Sequence, residues 1–190
     1  SGTTGYPKMV CHDYTYPIAH IITAKHWHNV DPNGLHLTVS ETGWAKSVWG
    51  KLYGQWFLGA GIFVYDFDKF IPAHLLERIE KYRITTFCAP PTIYRFLIKE
   101  GLEHYDLSSL KYVTTAGEAL NPEVFRKFKE YTGLMIMEAF GQTETTVLTA
   151  NFVGSTTTKV GSLGKASLLY ELDLVDEDGK PVPNGTVGEI

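Results

Sequence analysis

Cysteine is scarce: Cys11 and Cys88 are the only two in 190 residues. No disulfide framework carries the fold, and the thiols fit a reducing, cytosol-like compartment in which both are expected to be small core residues. A basic block is missing as well. The 17 Lys and Arg stand scattered against 21 Asp and Glu for a net charge of -4, which argues against a nucleic-acid partner, whose phosphates need a basic track. Long apolar runs are also absent. The stretch WFLGAGIFVY at 56–65 is too short and too rich in glycine to cross a bilayer, and no charged-then-apolar leader precedes it. The sequence therefore reads as a soluble, cytoplasmic, unprocessed protein of unknown oligomeric state.

What is present suffices for a core. Hydrophobic residues make up 44% and charged residues 20%, the balance of a globular domain, and a chain of this length buries most of its apolar surface. Short β-branched runs alternate with segments of helical period, the pattern of strand-helix-strand units feeding a parallel sheet. Strands are expected in LHLTV (35–39), GIFVY (61–65), ITTFCA (84–89), KYVTT (111–115) and LMIME (134–138). Between them Leu75, Leu76, Ile79 and Tyr82 share one helical face, as do Ile93, Tyr94, Leu97 and Ile98, and Val124, Phe125, Phe128 and Tyr131. Pro72, Pro90, Pro91 and Pro122 mark helix starts, with Asn121 as an N-cap and Gly133 as a C-terminal stop. Two more helices are expected over about 14–27 and 44–56, the second weakened by Gly50 and Gly54.

After about Asn151 the character changes. ELDLVDEDGKPVPNG alternates acidic and apolar residues, which predicts an exposed strand ending in a turn, and TVGEI would return antiparallel to it. Asn184, Gly185 and Thr186 form a glycosylation sequon that reads more simply as an Asn-Gly hairpin turn. The expected organisation is an α/β subdomain over 1–150 with a largely parallel sheet flanked by helices, then a linker and the start of a small antiparallel β segment over 151–190.

Three segments could carry chemistry. SGTTGYPK at 1–8 offers glycine-exposed amides, hydroxyls and a lysine, a kit for polyphosphate. It is not the P-loop, because only two residues separate Gly2 from Gly5 and Met9 follows Lys8; by itself it reads equally well as a flexible terminus. EAFGQTETT at 138–146 and TTAGEAL at 114–120 each follow a strand, and ligand sites in open parallel sheets lie beyond the strands' C-terminal ends. Phe140 could stack on a planar ring, Thr143 could donate to a phosphate and Glu144 could hold magnesium. The plain alternative is a polar loop. His26 and His28 stand two apart, on different faces of a helix and without a third ligand, so they read as surface or core histidines; His12 beside Cys11 has no better support as a ligand.

In this order and spacing, SGTTGYPK, TAGEALNPE and EAFGQTETT resemble the phosphate-binding, adenine-contacting and YGxTE-type motifs of the acyl- and aryl-CoA synthetases and related adenylate-forming enzymes. ETGWAKSVWG and FCAPPTIYRFL resemble segments of the medium-chain acyl-CoA synthetases. The resemblance covers nearly all of the chain and implies an internal piece of the large N-terminal domain of such an enzyme. It implies two steps: a carboxylate and ATP give acyl-adenylate and pyrophosphate, then the CoA thiol gives acyl-CoA and AMP. On this resemblance Ser1, Gly2, Thr3, Thr4, Gly5 and Lys8 hold the β- and γ-phosphates. Gly117, Glu118 and Ala119 line the adenine, Glu138 and Ala139 sit at its edge, and Phe140 stacks on it, with Gly141 and Gln142 adjoining. Thr143 bonds the α-phosphate, Glu144 binds Mg2+, and Lys8, Thr143 and Glu144 are the catalytic set.

Acetyl-CoA synthetases are similar here but carry tryptophan at the place of Gly141, so Gly141 implies an open acyl pocket and a short- to medium-chain acid. Trp44 would be a wall of that pocket; as an ordinary helix aromatic it would be buried. Phe140 replaces the usual tyrosine, and GKASLL at 164–169 lacks the prolines common there. A ribose-binding aspartate in a TGD-type motif and a C-terminal domain with its lysine are not in these 190 residues, so the chain alone is expected to turn over little. Two other readings stay open: an adenylating enzyme with a different acceptor, and a non-catalytic nucleotide-binding module.

Overall fold

The computed structural model describes residues 6, 8–41, 43–154 and 158–190, with the backbone alone at 45, 48 and 49. The described residues form a seven-stranded sheet in the order β2-β1-β3-β4-β5-β6-β7. Strands β1 (Leu35–Thr38), β2 (Gly61–Phe63), β3 (Thr86–Cys88), β4 (Tyr112–Ala116) and β5 (Ile136–Gly141) run parallel. Strands β6 (Val147–Ala150) and β7 (Lys165–Ala166) then run antiparallel. The expected parallel sheet is there, and the antiparallel part begins earlier than residue 151, directly after the 142–146 turn. The 171–190 segment forms no strand: Val175 makes isolated antiparallel bridges to Pro181 and Glu189. Alternation with acidic residues gave it the right direction of pairing and too little apolar surface to build a sheet.

Successive residues of a strand face opposite sides, and each side is covered. Phe87, Val113 and Ile136 pack with Leu75, Leu76, Ile79, Tyr94, Leu97 and Phe128 in one core, under helices α4 (Pro72–Lys81), α5 (Pro91–Glu100) and α6 (Pro122–Thr132). Their neighbours Cys88 and Met137 turn to the other face and pack with Trp27 and Val147. Cys11 is exposed, against the expectation of a core thiol, because it precedes α1 (Tyr16–Ile22) outside both cores. The caps behave as the sequence suggests. Asn121 accepts from Glu123 N at 2.8 Å, and Gly133 closes α6 in the left-handed region.

Both helices on the second face lose regular α geometry. α1 passes into a π-helical segment Thr23–Trp27, and α2 (Ala45–Val48) into another, Trp49–Tyr53, before α3 (Gly54–Phe57). His28 joins them to the sheet: its Nε2–H donates to Gly50 O at 3.1 Å and its Nδ1 pairs with Thr114 Oγ1 on β4 at 2.9 Å. His36 on β1 lies 4.8 Å away ring to ring and bonds Thr86 and Thr38 hydroxyls at 2.7 and 2.8 Å. His28 is thus a core histidine, as one of the two readings of the sequence has it.

Burial holds both rings neutral: His28 falls well below the ordinary value of 6.5, and His36, with the Lys51 charge adding, falls to about 3. A group whose folded pKa is depressed contributes stability above its unfolded pKa and loses it as pH falls from 6.5 toward 3. Equilibrium urea unfolding should therefore give a stability at pH 5 lower than at pH 7.5 by about 2 kcal/mol from a His36-type group alone. His36→Gln should flatten that slope; an unchanged midpoint in the wild-type protein between these pH values would contradict it.

Candidate active site

Parallel register places the C-terminal ends of β1, β3, β4 and β5 along one rim. A cavity of about 1020 Å³ opens there, lined by Lys8, Trp44, Gly117, Glu118 and the 139–147 stretch, with Tyr16, His20, Thr23 and Trp27 from the helix behind. Lys8, Trp44, Gly117, Glu118, Ala139, Phe140, Gly141, Gln142, Thr143 and Glu144 therefore meet at one site. Ser1, Gly2, Thr3, Thr4 and Gly5 lie outside the described residues. Two expected members stand off the cavity wall. Ala119 is exposed beside it, and Glu138 is buried beneath it, where its carboxylate accepts from Leu120 N at 2.9 Å. Burial pushes the Glu138 carboxyl up while that bond pulls it back. Its work is to tie the end of the β4 loop to β5.

The rim after β4 is built on backbone. Gly117 has φ +100, a conformation L side chains rarely adopt, and Lys46 Nζ donates to Ala116 O at 3.2 Å next to it. Glu118 accepts from Thr92 Oγ1 at 2.9 Å, which fixes the exposed carboxylate against α5. Trp44 is 58% exposed, against the buried reading of a helix aromatic, because it precedes α2 and stands at the cavity wall.

The turn from β5 to β6 is held on all sides. Gln142 N donates to Thr145 Oγ1 at 3.1 Å and Thr146 N to Tyr170 Oη at 3.0 Å. From the opposite side Tyr16 Oη donates to Thr145 O at 2.8 Å, and His12 Nε2–H donates to Thr143 O at 2.6 Å. The two rings stack 3.5 Å apart at 13°. Burial, with the Tyr170 and Glu144 charges, pushes the Tyr16 phenol up to about 12, so it stays a donor. Sequence reasoning missed His12 and Tyr16 as site residues. Only Tyr16 and His20 share a face of α1 by their four-residue spacing; His12 precedes the helix, so no helical spacing marks it.

Gly141 has a second reason to be glycine. A Cβ there would stand 2.3 Å from Thr146 O, where the β5–β6 pairing is bulged between Phe140 and Gly141. Any side chain meets the turn's backbone before it reaches the cavity. Exposed Glu144 beside the Thr143 hydroxyl suits Mg2+, which takes one or two carboxylates and completes its shell with water and substrate phosphates. Among the described residues no three His, Cys, Asp or Glu cluster as a metal cage.

The fold is that of the adenylate-forming ligases, with a glycine turn after β4 and a Thr-Glu turn after β5 at the strand ends. The anthranilate CoA ligase AuaEII, solved in complex with anthranoyl-AMP, superposes with a TM-score of 0.88 at 30% identity, over 99% of this chain and 36% of that one. A Brucella canis acyl-CoA synthetase gives 0.84 at 29%, over 97% and 34%. The chain belongs to the family described as AMP-binding enzyme, which matches residues 1–190. Human acyl-coenzyme A synthetases ACSM3 and ACSM5, both described as mitochondrial, are 38% and 39% identical over 191 residues, 100% of this chain and 32% and 33% of theirs. The chain thus spans about a third of the length of these relatives. No helix among the described residues is long and apolar enough to cross a membrane.

Two outcomes follow from this geometry. His12→Ala should speed amide hydrogen exchange across 142–146 about fivefold, since one hydrogen bond is worth about 1 kcal/mol; unchanged exchange would remove His12 from the support of the turn. Gly141→Ala should lower stability by about 1–3 kcal/mol through overpacking, read as a fall in Tm, and an unchanged Tm would show that the turn yields freely.

Proposed function

We propose that the protein carrying this chain activates a short- to medium-chain carboxylic acid with ATP, forming an acyl-adenylate and pyrophosphate, and passes the acyl group to the CoA thiol. The convergence of the β4 turn, the β5–β6 turn and Lys8 on one cavity at the strand ends carries this reading. Phe140, half-buried on the cavity wall, offers a face for adenine between Ala139 and Gly117. The Thr143 hydroxyl bonds the α-phosphate, and Ser1, Gly2, Thr3, Thr4, Gly5 and Lys8 hold the β- and γ-phosphates. Glu144 holds Mg2+, which neutralises charge on the phosphate oxygens when bound.

The carboxylate attacks the α-phosphorus, the bond to the β-phosphate oxygen breaks, and pyrophosphate leaves. Charge builds on oxygens that Lys8 and Thr143 face, so the chain's contribution is alignment and electrostatic stabilisation. The acid enters beside Trp44 and Gly141. Residues from 151 on read as the start of a second subdomain whose first pairing, β7, extends the same sheet. The free thiols suit a reducing compartment, and the cytoplasm is the one proposed.

The test is acid-dependent ATP–pyrophosphate exchange by the complete gene product. Wild type should exchange, Glu144→Gln should lose about 100-fold and Thr143→Ala about 10-fold or more. Mass spectrometry should find acyl-CoA. Exchange without acyl-CoA would assign another acceptor; nucleotide binding without any exchange would leave a non-catalytic module.

A further inference from the structure

One cation on the cavity wall has no part in the reading above. Lys46, on α2, lines the cavity half-buried, and its Nζ donates to Ala116 O at the end of β4 at 3.2 Å. A carbonyl takes one of the three N–H groups of an ammonium, so two are left over. Glu41, Glu118 and Glu144 line the same cavity, yet among the described residues Lys46 makes an ion pair with none of them. The Glu118 carboxylate is instead taken by Thr92 Oγ1. A charge drawn partly out of water with no counter-charge is costly, and the open side of this one is the cavity.

The ammonium is held in place rather than left on a free stem. Ala116 O fixes it at the strand end. Its charge reaches the Cys88 thiol at the end of β3, which burial pushes up and Lys46 pulls back. The backbone that carries it is tied down by the π-helical segment that follows α2, where Gly50 O accepts from His28 and Gln55 at 3.1 and 2.9 Å. Gly117 leaves the other side uncovered. A Cβ there would stand 3.9 Å from Lys46 Nζ, so a side chain at 117 would sit against the ammonium, and the exposed glycine at φ +100 has none.

Adenylation sets two anions against each other. The acid's carboxylate must come within bonding reach of an α-phosphorus whose oxygens carry like charge, and their repulsion opposes the approach unless a cation stands beside them. Among the described residues the cavity is lined by two lysines, Lys8 and Lys46, and by no arginine; Lys8 is already assigned to the terminal phosphates. Resting on the adenylation reading above, we infer that Lys46 binds an anionic oxygen of the reacting pair, on the acid's carboxylate or on the α-phosphate, and so lets the two approach. A compact point charge with donors to spare serves either oxygen, whereas a neutral donor in the same place would leave the repulsion standing.

The complete gene product is titrated by calorimetry with two pairs of ligands that differ in charge, AMP against adenosine and hexanoate against hexanamide, as wild type, Lys46→Met and Lys46→Arg. Lys46→Met should weaken the anion of one pair at least tenfold in Kd while its neutral counterpart binds as before, and Lys46→Arg should recover part of that loss. A loss on AMP assigns the α-phosphate, and a loss on hexanoate assigns the carboxylate. Unchanged anion-to-neutral ratios in both pairs would overturn the inference. An equal loss for charged and neutral ligands would overturn it too, because a lysine that merely ties α2 to β4 disturbs both alike. Pyrophosphate exchange on the same preparations separates the two readings: wild-type exchange with unchanged ratios strikes the role of Lys46 alone, and a Lys46-dependent ratio without exchange strikes the adenylation step and leaves the anion site. If wild type binds none of the four ligands, both readings fall.

Discussion

The turn between β5 and β6 is fixed by bonds to its carbonyls, and the rest of the site depends on that restraint. A turn of five residues at the end of two strands would ordinarily be free to move, and a carboxylate and a hydroxyl on it would be poorly aimed. Here His12 and Tyr16 hold Thr143 O and Thr145 O from the α1 side, while Tyr170 holds Thr146 N from the other. The same contacts connect the turn to the segment that carries Lys8. The Thr143 turn and Lys8, proposed above for the phosphates, therefore adjoin one piece of structure. Gly141 completes the restraint from inside, since Thr146 O occupies the space of its missing side chain.

That close approach changes the meaning of a specificity argument. The resemblance to medium-chain synthetases assigns Gly141 an open pocket, and the residue does line the cavity. Yet replacing it by tryptophan would displace the turn as well as fill space, so altered chain-length preference in such a variant would mix two effects.

Most of the sheet was legible because each strand is a short β-branched run bounded by proline, glycine or a capped helix; the cap at Asn121 and the stop at Gly133 fall where the sequence puts them. What escaped depends on contacts distant in sequence. The π-helical segments at Thr23–Trp27 and Trp49–Tyr53 have no compositional mark, since a one-residue insertion in the helical ladder follows from packing against β4 and not from propensity. For Trp44 the sequence offered a pocket wall beside a buried helix aromatic, and its exposure at the cavity excludes the second. Of the site, the strand-end segments were readable from order and spacing, whereas His12 looked like a stray polar residue: its partner lies 131 positions away.

The central claim is that the two turns and the α1 helix enclose one site for an acyl-adenylate. Its most direct test is binding of a non-hydrolysable acyl-sulfamoyl adenosine to the complete gene product, followed by tryptophan fluorescence, with Trp44 at the cavity wall as the reporter. The account predicts a saturable change in emission that Trp44→Phe abolishes and Phe140→Ala weakens at least tenfold in Kd. Saturable binding that leaves Trp44 emission unaltered and ignores Phe140 would contradict it.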